Sequence, residues 1–92
     1  MKLIKKEKIK RYREITSKAK NIAQKFIAKG REKEAEEIIN MVSNYISDSE
    51  YFEKKGDYVS SFAALNYAHG WLDAGAKLGI FEVSDNNFFT IK

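Results

Sequence analysis

Two residue sets in this 92-residue chain have types and spacings that could do chemistry. The first is AHGWLDAGAKLG at 68–79, where Gly70, Gly75 and Lys77 approach the glycine–glycine–lysine of a phosphate-binding loop. Such a loop needs its second glycine directly before the lysine, so that backbone N–H groups and the ammonium converge on one phosphate. It also needs a hydroxyl after the lysine for Mg²⁺ and a buried strand before the loop. Here Ala76 separates Gly75 from Lys77, and Leu78 takes the hydroxyl's place. The preceding residues Val59, Phe62, Ala63, Asn66, Tyr67 and Gly70 recur at helical steps of three and four. The segment therefore reads as a helix with small residues where another helix comes close. The second set is His69 and Asp73, four apart on one helical face, with Asn66 three before. A histidine–carboxylate pair at this spacing can hold a metal or orient a general base. A metal site wants three or four ligands, and the chain has one histidine and no cysteine. The pair is expected to be a hydrogen-bonded polar group at a helix interface, with catalysis or metal binding a weaker alternative. No catalytic residue and no cofactor is assigned.

The remaining chemistry is charge. Residues 1–33 carry thirteen Lys/Arg against three acids, a net +10, and residues 34–92 carry four bases against ten acids, a net −6, which together give +4. Such asymmetry calls for a partner of opposite sign or for pairing inside the fold. Lys5, Lys6, Lys10 and Arg13 are the candidate nucleic-acid contacts. Against that reading, the basic residues are scattered around the helix, and Tyr12 is the one aromatic interleaved among them. Without cysteine there is no disulfide or thiolate chemistry, and without proline long helices are unopposed. No apolar run reaches the roughly 20 residues that span a bilayer. MKLIKKEKIK has no apolar stretch behind its charges. The expected location is the cytoplasm, with no membrane partner.

Three helices must position these residues. Ile9, Tyr12, Ile15, Ala19, Ile22 and Phe26 form one stripe, which predicts a helix over about 3–29 closed by Gly30. Glu32, Glu34, Glu36 and Glu37 open a second helix over 32–55, with its stripe at Ala35, Ile38, Ile39, Val42, Tyr45, Ile46, Ser49 and Phe52. Asp57 caps a third over 58–78, where Gly79 and Ile80 suit a Schellman ending. Short connections make neighbours antiparallel. The prediction is one all-α domain, an up-down-up three-helix bundle, with an extended or hairpin C-terminal tail over 80–92 turning at Ser84-Asp85-Asn86-Asn87.

The third helix has no charged residue between Asp57 and Asp73, and its large apolar residues fall on nearly all sides. A helix apolar all round is usually buried all round. Cover must come from the tail or from a second copy, so Phe62, Trp71 and Leu72 are the candidate self-association residues of an expected homodimer. Hairpin arithmetic brings Asn40 and Asn44 level with Asp73 and His69. Asn66, His69, Asp73, Asn40 and Asn44 are thereby expected to share a polar seam, which would hold a small ligand if open.

The run YFEKKGDYVSSFAALNYAHGWLDAGAKLGIF resembles the archaeal helical family catalogued as domain of unknown function 357. The likeness lies in the Gly56-Asp57-Tyr58 turn, the Asn66-Tyr67-Ala68 step, and Gly70-Trp71-Leu72-Asp73-Ala74 leading to Leu78-Gly79. It covers roughly residues 40–81 and implies a small helical bundle with no activity attached. The function expected is a non-enzymatic helical interaction module that binds itself or another protein. The alternatives are a nucleic-acid-binding accessory protein and, third, a ligand or metal site at His69/Asp73.

Overall fold

The computed structural model describes residues 4–83, 88 and 89. Three helices follow in order: α1 (Lys6–Lys25), α2 (Glu32–Lys54) and α3 (Tyr58–Lys77). They pack as a three-helix bundle of 42 × 23 × 18 Å, with α2 and α3 making the most extensive pair. The core joins Ala19 and Ala23 of α1, Ala35, Ile38, Ile39 and Val42 of α2, and Ala68, Leu72 and Ala76 of α3. Small residues on all three helices let the axes approach closely. Among the described residues no helix is long and apolar enough to cross a membrane.

The two later helices end as their sequences predict. At the end of α2, Gly56 takes φ +79°, its N–H donates to Glu53 O at 3.0 Å, and Asp57 N–H donates to Phe52 O at 2.9 Å. At the end of α3, Gly79 takes φ +76°, donating to Ala76 O, while Ile80 N–H donates to Gly75 O at 2.9 Å. Both are Schellman endings, in which glycine supplies the left-handed residue. The Asp57 carboxylate caps α3 by accepting from Ser60 N–H at 3.0 Å, and that bond holds its pKa below the ordinary aspartate value.

The first helix departs from expectation. It stops at Lys25, four residues before the predicted end. The chain beyond it pairs with the start of the tail, as Ile27 bridges antiparallel to Phe81. Ala28 N–H donates to Ile80 O at 2.9 Å, and Glu82 N–H donates to Phe26 O at 2.6 Å. Unwinding frees backbone groups that these bonds satisfy. It also turns Ile27 and Ala28 inward, while Phe26, a predicted stripe residue, is left exposed. The tail's predicted turn at 84–87 lies outside the described residues, and α1 begins at Lys6 after an extended Lys5, later than the predicted start at about residue 3.

Gly75 is where the tail crosses α3. A Cβ there would stand 2.5 Å from the Phe81 ring and 3.3 Å from Ile38 Cδ1. The glycine that resembled part of a phosphate loop is a packing glycine. It lets a fully buried aromatic ring lie against helix backbone.

Candidate functional site

Three regions hold the predicted residues. The first lies between α1 and α3. His69 is placed there by the α3 periodicity and half-buried by the neighbouring helix. Its Nε2 lies 2.6 Å from Phe88 O, and its Nδ1 lies 3.1 Å from Thr16 Oγ1. A carbonyl oxygen only accepts, so Nε2 carries the hydrogen and Nδ1 accepts from the threonine hydroxyl. One imidazole thereby ties α1, α3 and the tail together. Asp73 Oδ1 lies 3.9 Å from Nε2, an electrostatic neighbour beyond hydrogen-bond range. With both ring nitrogens engaged, His69 has no lone pair to offer a metal and no open position for a base. Among the described residues no group of three metal-ligating side chains converges.

Asn66, His69 and Asp73 do line one groove, of about 320 Å³, with Tyr12, Ile15 and Gly70. Asn40 and Asn44 do not reach it. They are exposed and line a different groove with Trp71 and Leu78. The predicted seam therefore divides between two faces. Hairpin arithmetic gives the level of a residue along a helix and leaves its rotation about the axis open.

The polar interior is built from residues the seam did not include. Thr16, Ser49 and Ser61 are fully buried. Ser61 Oγ donates to Ser49 O at 2.6 Å, Ser49 Oγ donates to Ile46 O at 2.6 Å, and Arg13 Nε donates to Ser49 Oγ at 3.1 Å. Arg13 Nη2 also pairs with Glu53 Oε1 at 2.6 Å, both side chains largely covered. Arg13, a predicted nucleic-acid contact, is thus spent inside the bundle, binding α1 to α2. Two of the three are marked in the sequence: Ser49 sits on the α2 stripe, and Thr16 lies seven residues after Ile9 and three before Ala19. Small hydroxyl residues on an apolar stripe bond to helix backbone and cost little to bury.

The second region is the basic start of α1. Lys5, Lys6 and Lys10 are exposed. Lys5, Lys8 and Arg11 line a groove of about 650 Å³ with Glu7, Tyr12 and Ile15. Tyr12 packs edge-on against Phe62 at 4.9 Å, and Lys8 Nζ stands 5.1 Å from the Phe62 ring centre. Phe62, a predicted self-association residue, is therefore half-covered by its own α1.

The third region is the outer face of α2 and α3. Leu72, also predicted for self-association, is fully buried, so it belongs to the chain's own core. Trp71 next to it is 41% exposed, Tyr67 63% and Leu78 66%. Of the two covers expected for α3, the described tail supplies none on this side. The described tail residues meet α3 at His69 and Gly75, and this side stays open. Tyr67 stacks on Tyr45 of α2 at 5.6 Å, and Met41 is exposed beside it. A groove of about 570 Å³ runs between Glu34, Glu37, Met41, Trp71, Leu78 and Ile80. Arg31 hydrogen-bonds Glu34 at its edge, which lowers the Glu34 pKa and raises that of Arg31.

No curated protein and no solved structure matches the chain. A family model does match, over residues 5–81, and its span takes in α1, where the residues alone carried no likeness. The chain belongs to the family described as Protein of unknown function (DUF357).

Proposed function

We propose that this chain is a non-enzymatic helical protein-interaction module that self-associates through the open α2/α3 face. One observation carries the reading: Tyr67, Trp71 and Leu78 of α3 are exposed together with Met41 of α2, at a groove whose apolar wall is edged by Glu34, Glu37, Asn40 and Asn44. Scattered single apolar residues on a surface are ordinary, whereas a contiguous patch with polar edges marks a contact site. Aromatic residues are also the side chains that most often dominate binding energy. The polar groups that could have suggested catalysis are engaged in holding the bundle together. Sedimentation at two concentrations tests the reading. Mass that rises with concentration supports it, and a monomer mass throughout overturns self-association.

A second reading, an accessory nucleic-acid contact, is favoured by the groove that Lys5, Lys8 and Arg11 line with Tyr12. Retention on immobilised RNA that falls steeply with salt supports it, and neutralising Lys5, Lys6 and Lys10 then flattens the slope by roughly one phosphate contact per residue. Retention indifferent to salt overturns it.

A further inference from the structure

We infer that the trough between α1 and α3 binds a short single strand of nucleic acid, its phosphates on Lys5, Lys8 and Arg11 and a base on the Tyr12 ring. This rests on the nucleic-acid contact given above as the second reading, and adds the side of α1, the strandedness of the ligand and the part played by the aromatic ring. The basic start of α1 has two sides. Lys6, Lys10 and Arg13 recur at steps of four and three, so they share the side on which Arg13 meets Glu53 of α2. Lys5, Lys8, Tyr12 and Ile15 recur at steps of three, four and three. They share the side toward α3, where Tyr12 and Lys8 lie against Phe62.

The two sides differ in what faces their charge. The closing turns of α2 bring three acids, Asp48, Glu50 and Glu53, against Lys54 and Lys55, and Glu53 takes up the charge of Arg13. The α3 wall brings far less. It holds no charged residue between Asp57 and Asp73, and the Asp57 carboxylate is turned to its own helix as the cap, accepting from Ser60 N–H. None of the ion pairs among the described residues uses Lys5, Lys8 or Arg11. The groove of about 650 Å³ that they line sets three cations against Glu7, a net +2. Cations left uncompensated in a concave site draw in an anion.

Charge alone would admit any polyanion, and Tyr12 narrows the class. It stands among these cations and is 38% exposed, with Phe62 packed edge-on to hold the pair of rings in place. A cationic groove with an aromatic ring on which a base can stack is the arrangement that holds single strands. A duplex keeps its bases stacked in its interior and offers Tyr12 no face. Tyr12 and Ile15 also line the hollow of about 320 Å³ that carries the trough on to Asn66 and Asp73. The exposed Asn66 amide offers a donor and an acceptor, the groups that pair with the edges of an unstacked base. The negative charge of Asp73 disfavours phosphate at that end. The strand therefore sets its phosphates at Lys5–Arg11 and its bases toward Asn66.

Fluorescence anisotropy of a labelled oligouridine of about six nucleotides tests the inference, since so short a strand fills the trough without wrapping to the far side of α1. Its affinity should fall with salt at a log–log slope of about −2, from roughly 0.7 for each of three phosphate contacts. Changing Lys5, Lys8 and Arg11 together to Gln should remove most of that slope. Lys6→Gln with Lys10→Gln should leave it, although a longer immobilised RNA reaches both. Tyr12→Ala should weaken binding about tenfold with the slope unchanged, the loss of one stacked base, and Tyr12→Phe should retain it. An RNA duplex should displace the strand at least about tenfold less well than unlabelled oligouridine. Equal displacement by the duplex or by polyglutamate overturns the inference. So does full binding by Tyr12→Ala, a Lys6/Lys10 variant as impaired as the Lys5/Lys8/Arg11 variant, or no binding of the oligouridine. In each of these cases salt-dependent retention on long RNA leaves the second reading in place, and retention indifferent to salt overturns both. Unchanged helical circular dichroism in each variant shows that folding is not what was lost.

Discussion

Helix α3 meets α1 along one face and lies open beside α2 along another, and the two faces are made of opposite materials. Toward α1 it presents His69 and Asp73, polar residues that the fold half-buries, with His69 tied to Thr16 and Phe88 and Asp73 beside the imidazole. Beside α2 it presents Tyr67, Trp71 and Leu78, apolar residues that the fold leaves exposed. Polarity along a sequence is thus no direct guide to burial. The polar face is acceptable inside because each described contact gives its donors and acceptors a partner. The apolar face outside has no such compensation within the chain. It is the surface that gains free energy when another molecule covers it.

The comparison is tested most severely by two leucines six residues apart. Leu72→Ala should destabilise the chain by about 2–5 kcal/mol, the cost of a cavity in a close-packed core. Leu78→Ala should fall within about 0.5 kcal/mol in the isolated chain, as for other surface positions. Urea unfolding at low protein concentration measures both. Equal losses would mean that the open face is part of the core.

Two glycines sharpen it further. Gly75→Ala drives a methyl group into Phe81, which is fully buried and cannot step aside, and should cost about 1–3 kcal/mol. That loss should outweigh the gain of up to about 1 kcal/mol that alanine brings to a helix. Gly70→Ala meets nothing and should show that gain undiminished, as a raised melting temperature. If a second copy covers Gly70, the same variant should associate less tightly while its monomer becomes more stable.

The smallest effect lies on the polar face. Thr16→Val keeps the side-chain volume and removes the donor to His69 Nδ1, and should cost about 1 kcal/mol, near the lower end for a group left unpaired. Asn66→Ala, on the exposed side of α3, should change little. Thermal unfolding of the two variants side by side checks the contrast. A silent Thr16→Val would show that the imidazole is satisfied without the threonine.

Much of this was legible in the residues, and the failures share a cause. Gly56, Asp57 and Gly79 act where their types dictate, because a left-handed residue or an N-cap is a local demand met by few side chains. The early end of α1 was not legible, because it depends on Phe81 arriving from more than fifty residues away to pair with Ile27. The split of Asn40 and Asn44 from His69 was missed because periodicity fixes which residues share a stripe, not how the stripe is turned toward its neighbours. Arg13 read as one more free cation until α2 placed Glu53 and Ser49 against it.

By itself the sequence determined three helices, their order, their antiparallel succession, and the turns between them. These follow from spacings and backbone preferences that act within a few residues. Only the tertiary structure decided which side of α3 is covered. Each helix can turn about its axis at small local cost, and the turn adopted is the one at which all three stripes, the buried hydroxyls and the tail are satisfied at once. That choice half-buried His69, put Leu72 in the core and left Trp71 exposed, three placements that their spacing along the chain does not distinguish.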